Sequence, residues 1–424
     1  MFQKLKNFLF INSSTTQTIL KNTFWLFFGQ LSGRFLRAII VIYAARELGA
    51  ESWGAFSYAI GVTAFLTIFG DIGINALITK ETSRNPALQT QYIATALFIK
   101  LILLATLTIG ALKFTPYFTN IEEALKLIPI LIFVFVFDSL RDLGSAIARA
   151  LEQMEIEAST NALTNLFIVI FGIIALQLHT RSLGLAYAYS AGSCVGLIIT
   201  FYILRKHFLH LTKHFNPALI KPILETAWPF GLMGMMGAIM LNTDILMLGW
   251  MRTPSEVGYY SAAQKIILLL YVLPGLLASS TFPALARLAK TNIDAAQKIL
   301  NKSVRLMLLI ACPLSIFGIL LAHTIISIIF GVNYLPAAAT FQILLLSLVL
   351  VFPGTILGNA LFAYDGQKYF LRFVIISTFS NAILNYILIK PFGIEGAALS
   401  TIITQLITNI FVYFKVKKIT NLKI

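Results

Sequence analysis

Gln30, Arg34 and Arg37 recur at i, i+4 and i+7 inside an apolar run over 20–46. That spacing places all three on one stripe of a helix. No carboxylate precedes Glu47 in the run, so two guanidinium groups share a face without a local counter-ion. An ionisable side chain at mid-bilayer costs about 2.5–3.5 kcal/mol on insertion scales, unless a partner or a water-filled cavity compensates it. Two cations on one stripe fit a wet cavity that receives an anion.

Other charges interrupt other apolar runs. Asp71 lies in 53–79, and Asp138, Arg141, Asp142, Ser145 and Arg149 share one side of 123–149. Asn242 and Asp244 fall in 227–251, and Lys265 falls near the outer end of 257–285. Asp138 and Arg141, at i, i+3, suit a structural ion pair. Arg141 equally suits an anion clamp completed from a second helix, as does Lys265. Asp71, Asp138 and Asp244 have two readings each, as fixed partners of helix cations or as groups that take up H+ or Na+ during a transport cycle. Arg149 and Arg305 suit snorkelling to the interface. Cys194 and Cys312 sit in apolar runs and read as small buried hydrophobes. With no HExxH or CxxC pattern, neither a metal site nor a cofactor is expected.

The elements that carry these charges follow from composition. Of 424 residues, 58% are hydrophobic and 12% charged, and the mean hydropathy is +0.85. Soluble domains carry about 25% charged residues, so the chain is read as an integral membrane protein, all-α. A span needs about 20 mostly apolar residues, and twelve such runs are expected: 20–46, 53–79, 89–113, 123–149, 156–178, 183–205, 227–251, 257–285, 303–330, 336–362, 369–390 and 394–416. The net charge of +15 does not point to nucleic acid, because it is sorted by side. With the N-terminus inside, and residues toward span ends counted with the adjoining segment, 21 of the 32 Lys and Arg fall in inner segments and 7 in outer ones, while Arg34, Arg37, Lys100 and Arg141 lie deeper within spans. That bias predicts both termini in the cytoplasm.

The longest polar connection, 207–225, divides the chain into two expected six-helix lobes, 1–210 and 211–424. The halves repeat. ESWGAFSYA from Glu51 parallels SEVGYYSAA from Ser255, matching Gly54 to Gly258, and SLGLAYAYS from Ser182 parallels GIEGAALS from Gly393. An even number of spans per half makes the repeats parallel, which usually places a substrate path between the two bundles. Pro229, Pro274-Gly275, Pro313 and Pro353-Gly354 predict interruptions or kinks in four of the later helices.

Seven segments, read in order, resemble the polysaccharide transporter (O-antigen flippase) family of the multidrug/oligosaccharidyl-lipid/polysaccharide exporter superfamily. They are ARELGAESWGAFSYA from Ala45, FGDIGINALITKE from Phe69, TDILMLGW from Thr243, EVGYYSAAQK from Glu256, FPALARL from Phe282, IFGVNYLPAA from Ile329 and NYILIKPFGIEGAALST from Asn385. The resemblance implies a V of two six-helix lobes around a central cavity. It implies a flippase that carries an undecaprenyl-diphosphate-linked oligosaccharide to the periplasmic leaflet of a bacterial inner membrane. A monomer is expected, with the lipid-linked oligosaccharide and membrane lipids as partners, together with a polysaccharide polymerase and a chain-length regulator. In related lipid II flippases, arginines of the first helix hold the diphosphate. Arg34 is the best positional match, and Arg37 departs in spacing. A drug/cation antiporter of the same fold would require an acidic cavity. A membrane polymerase or ligase would require external loops with catalytic residues, and the external loops here are short.

Overall fold

The computed structural model describes residues 10, 15–85, 88–178, 181–208, 214–364 and 366–420. Its helices are α1 Thr15–Asp71, α2 Ile74–Arg84, α3 Gln89–Phe118, α4 Glu122–Ala150, α5 Met154–Gln177, α6 Arg181–Ile203 and the short α7 Arg205–Phe208. They continue with α8 Ile220–Met251, α9 Pro254–Leu270, α10 Val272–Thr291, α11 Ile293–Leu320, α12 Ala322–Phe330, α13 Ala337–Ala363 and α14 Gln367–Thr420. No strand occurs among the described residues. In hydrocarbon a helix satisfies its own backbone groups, which is why apolar runs of this length adopt it.

Nine helices among the described residues are long and apolar enough to cross a membrane. Two of them, Gln17–Arg84 with 68 residues and Tyr369–Ile419 with 51, far exceed one crossing of about 30 Å. Each turns at a glycine with positive φ, Gly49 (72°) and Gly393 (59°). Glu122–Ala150, with ionisable residues at both ends, is not among the nine.

The chain forms two compact units. The first comprises Met1–Leu48 with Ala59–Ala238, and the second Gly49–Tyr58 with Ile239–Ile424. The expected boundary at 210–211 lies outside the described residues. In the first unit, Ile74, Leu77 and Ile78 of α2 pack with Ile93, Ala96 and Ile99 of α3, Leu143 and Ile147 of α4, and Ile223 and Ala227 of α8.

The second expected span is not one continuous helix. It breaks at Ile72 (φ 40°) and Gly73 (φ 87°) before α2 begins. A Cβ at Gly73 would stand 2.0 Å from the Ala227 carbonyl oxygen, so only glycine permits this approach. The eighth expected span breaks at Tyr271 between α9 and α10. Pro274 has no N–H for the carbonyl of residue 270, and the Tyr271 hydroxyl shares a 2.6 Å hydrogen bond with Ser347 Oγ. Pro313 and Pro353, in contrast, stay inside continuous helices.

In the second unit the segment 49–58 crosses the start of α9 with almost no side chain between. A Cβ on Gly54 would lie 1.7 Å from the Pro254 carbonyl oxygen, and one on Gly258 would lie 2.0 Å from that of Ala50. Ser261 Oγ donates to Ser57 Oγ at 2.9 Å, across 204 positions. The same offset relates Ala50 to Pro254 and Gly54 to Gly258, so each glycine meets its counterpart's neighbour while Ser57 and Ser261 meet each other. Reciprocal contact of this kind is the mark of a local twofold axis.

Candidate functional site

Arg34 and Arg37 are both exposed on the first limb of α1. Arg37 Nε donates to Asn165 Oδ1 on α5 at 3.2 Å. For Arg34 no ion pair or hydrogen bond is present among the described residues. The side of this limb that faces α5 carries Gly29 and Gly33, with Arg37 one turn beyond Gly33 at its margin. A Cβ on Gly29 would meet Ala158 Cα at 2.6 Å, and one on Gly33 would meet Asn161 Nδ2 at 3.0 Å. Asn161 Nδ2 donates to the Gly29 carbonyl at 3.2 Å, and Asn165 Nδ2 donates to Asn161 Oδ1 at 3.0 Å. Small residues let α1 and α5 approach closely, and the amide ladder fixes the rotation of the limb, with Arg37 held at the edge of this contact and Arg34 outside it. Gly29, Gly33, Asn161 and Asn165 were absent from the candidates read in sequence. Their signals were two glycines four apart and two asparagines four apart in an apolar helix.

Asp71 stands at the helix break. Its Oδ1 accepts from the Asn75 backbone N–H at 3.2 Å, so it caps α2. Lys100 Nζ donates to Asp71 Oδ1 at 3.1 Å and to Asn75 Oδ1 at 3.0 Å. The Lys100 side chain is 0% exposed and that of Asp71 is 32% exposed. On α4, Arg141 lies 3.0 Å from Asp138 and 3.1 Å from Asp142. Two carboxylates on its own helix therefore neutralise this guanidinium. Arg149 makes a paired contact with Glu157 of α5, at 2.7 and 2.9 Å.

The second unit holds Asp244, buried at 3% exposure on α8. Tyr260 Oη donates to its Oδ2 at 2.5 Å, Thr401 Oγ1 to the same oxygen at 2.7 Å, and Asn385 Nδ2 to Oδ1 at 2.7 Å. All three donors are neutral. Asn385 Nδ2 also reaches Asn381 Oδ1 at 3.1 Å. A cavity of about 50 Å³ adjoins the carboxylate and is lined by Gln264, Asn381, Thr404 and Gln405, among others. That exceeds the roughly 10–15 Å³ one water requires. Asn385 Oδ1 and Thr404 Oγ1 are buried with no hydrogen-bond partner, an unusual state for polar atoms at this depth. Lys265 is half-buried on α9, beside Gln264 in sequence.

Comparison with known proteins adds a lineage to this geometry. The family profile described as polysaccharide biosynthesis protein matches residues 19–289, and the MatE profile matches 229–387. A Shigella flexneri protein provisionally named an O-antigen transporter is 23% identical over 402 residues, covering 90% of this chain and 94% of its own. A Haloferax volcanii protein provisionally named a low-salt glycan biosynthesis flippase, Agl15, is 23% identical over 384 residues, covering 89% and 79%. Among solved structures, the lipid II flippase MurJ in an inward closed conformation superposes with a TM-score of 0.77 at 19% identity, covering 94% of this chain and 87% of that one. At that identity the superposition speaks for the fold.

Proposed function

As a member of the polysaccharide biosynthesis protein family, this chain is, we propose, a flippase that moves a lipid-linked oligosaccharide between the leaflets of a membrane. It is a transporter rather than an enzyme, and a multi-pass membrane protein. The single observation that carries the reading is the Arg34/Arg37 stripe. A diphosphate brings about two negative charges into a region with little water, and two guanidinium groups on one stripe match that charge. Each planar fork donates paired hydrogen bonds to phosphate oxygens and remains protonated when partly desolvated. Arg141 is the weaker candidate for this role, because Asp138 and Asp142 already hold it. Lys265, on the second unit, is the candidate for a further contact to the substrate.

Asp244 is the candidate for coupling transport to H+ or Na+. Its carboxylate, the unpaired oxygens of Thr404 and Asn385, and the adjoining space offer hard oxygen atoms of the kind that suit a proton or a small monovalent cation. The 50 Å³ beside it is far below the roughly 300–1,000 Å³ of drug-sized pockets, which disfavours the antiporter of organic cations. Asp71 and Asp138 act in this reading as partners of helix cations. The twelve apolar runs support twelve crossings, the charge bias supports both ends in the cytoplasm, and the family resemblance points to a bacterial inner membrane, where a polymerase and a chain-length regulator would receive the flipped unit.

The test is complementation of a flippase-null strain, with membrane abundance measured in parallel. Arg34→Ala should abolish surface glycan at normal abundance, Arg34→Lys should restore part of it, and Arg37→Ala should lower it. Normal glycan from the Arg34→Ala/Arg37→Ala double variant refutes the anion-binding stripe. A reporter fused at the C-terminus that reads periplasmic refutes the orientation.

A further inference from the structure

A second cavity in the second unit has a different chemistry from either feature above. It measures about 270 Å³ and lies between the 351–362 stretch of α13 and the two limbs of α14, with Met240 of α8 at its edge. Its polar lining is Thr355, Asn359, Ser377, Gln405, Thr408 and Asn409, and Phe362 and Phe370 form an aromatic wall with ring centroids 4.8 Å apart. Among the described lining residues none ionises. A diphosphate would find no cation here, and a coupling ion would find no carboxylate. A polyprenyl chain would leave the amides without partners.

Most of the polar groups are already committed. Thr355 Oγ1 donates to the Val351 carbonyl at 2.8 Å, Thr408 Oγ1 to that of Thr404 at 2.8 Å, and Asn409 Nδ2 to that of Gln405 at 2.8 Å. Ser377 Oγ and Thr408 Oγ1 share a 2.5 Å hydrogen bond. The side-chain amides of Asn359 and Gln405 make no hydrogen bond among the described residues. Both residues are half-buried, and each amide offers two donors and an acceptor to whatever enters the cavity. Two free amides and an aromatic wall, without formal charge, complement the edge hydroxyls and C–H faces of a sugar ring. The volume lies just below the lower end of the small-molecule range, room for a ring rather than a chain.

We propose that this cavity is a monosaccharide subsite. It accepts one sugar ring of the transported glycan, and Asn359 and Gln405 read that ring's hydroxyl or N-acetyl groups. The proposal rests on the flippase reading for the source of the sugar. A site built to hydrogen-bond a hydroxyl discriminates strongly against an analogue that lacks it, so these residues would set which glycans are carried. Gln405 also lines the Asp244 cavity, so occupancy by a sugar would be felt next to that carboxylate.

The experiment is saturation-transfer NMR on the full chain in lipid nanodiscs. The probes are the methyl glycosides of glucose, galactose, rhamnose, N-acetylglucosamine and N-acetylgalactosamine. At least one, but not all, should show transfer. Asn359→Ala and Gln405→Ala, with melting temperatures checked, should each weaken that binding about fivefold or more, the worth of one hydrogen bond. Arg34→Ala should leave it unchanged. Should the alanine variants fail to fold, Thr355→Trp, which fills the cavity, should remove the transfer. No transfer from any glycoside, or equal transfer from all that survives these variants, overturns the subsite. Complementation by the wild-type chain is read separately. Transport without sugar binding refutes the subsite alone, and sugar binding without transport refutes the flippase reading alone.

Discussion

Removing either partner of the Asp71–Lys100 pair should destabilise the protein, and the two losses should be unequal in a stated direction. Asp71→Asn leaves an ammonium that is 0% exposed, with only neutral amide oxygens to receive it. Lys100→Met leaves a carboxylate that is 32% exposed and still accepts from the Asn75 N–H. Breaking a buried pair costs about 3–5 kcal/mol, because it strands a charge. Asp71→Asn should fall near the upper end and Lys100→Met at or below the lower end. The double variant strands nothing, and Asn at position 71 can still accept from the Asn75 N–H. It should be at least about 2 kcal/mol more stable than Asp71→Asn alone, a coupling well outside additivity. The assay is thermal melting of the purified chain in nanodiscs, with surface glycan measured in the same set. Melting temperatures should fall in the order wild type, double variant, Lys100→Met, Asp71→Asn. A double variant less stable than both singles would refute the pairing argument. A double variant that is stable but inactive would show that Asp71 couples an ion rather than fixing a helix break.

Three further outcomes follow from other contacts. Asp244→Asn should retain abundance while removing the dependence of transport on pH or sodium, and a dependence identical to wild type would disprove the coupling assignment. Asn165→Ala removes the acceptor of Arg37 and one rung of the amide ladder. Transport at limiting expression should drop severalfold, and unchanged transport would mean Asn165 does not orient Arg37. Gly54→Val and Gly258→Val should each lower stability by more than the roughly 1–3 kcal/mol usual for overpacking, because the atom met is a backbone carbonyl oxygen. Melting curves that leave either variant at the wild-type temperature would contradict the close crossing.

The arginine stripe was legible because a 3.6-residue period and an apolar background make three polar residues stand out. Asp244 stood out for the same reason, but its partners did not. Tyr260, Asn385 and Thr401 lie 16, 141 and 157 positions away, and common residue types at such separations give no signal in one chain. Lys100 was visible as a cation within a span, yet its pairing with Asp71 depends on a helix break at Ile72–Gly73. A lone glycine in a helical run does not announce such a break, because membrane helices tolerate glycine. Proline was a better guide, and still an uneven one. Pro274 falls just after the break at Tyr271, whereas α11 and α13 pass through Pro313 and Pro353 without interruption. Among membrane helices, neighbouring groups can satisfy the carbonyl that proline abandons.

The crossing of Gly54 over Pro254 and of Gly258 over Ala50 preserves a trace of ancestry. Contacts that pair each residue with its counterpart's neighbour are those a half-length chain would make with a second copy of itself. In such an ancestor one glycine would have served both sides of the axis, and a single mutation would have struck the interface twice. Duplication and fusion split that constraint between two codons. Either position can now be struck alone, but each still faces a backbone carbonyl at a distance no Cβ can occupy. The geometric demand for glycine therefore holds at both positions, as it would have at the original one.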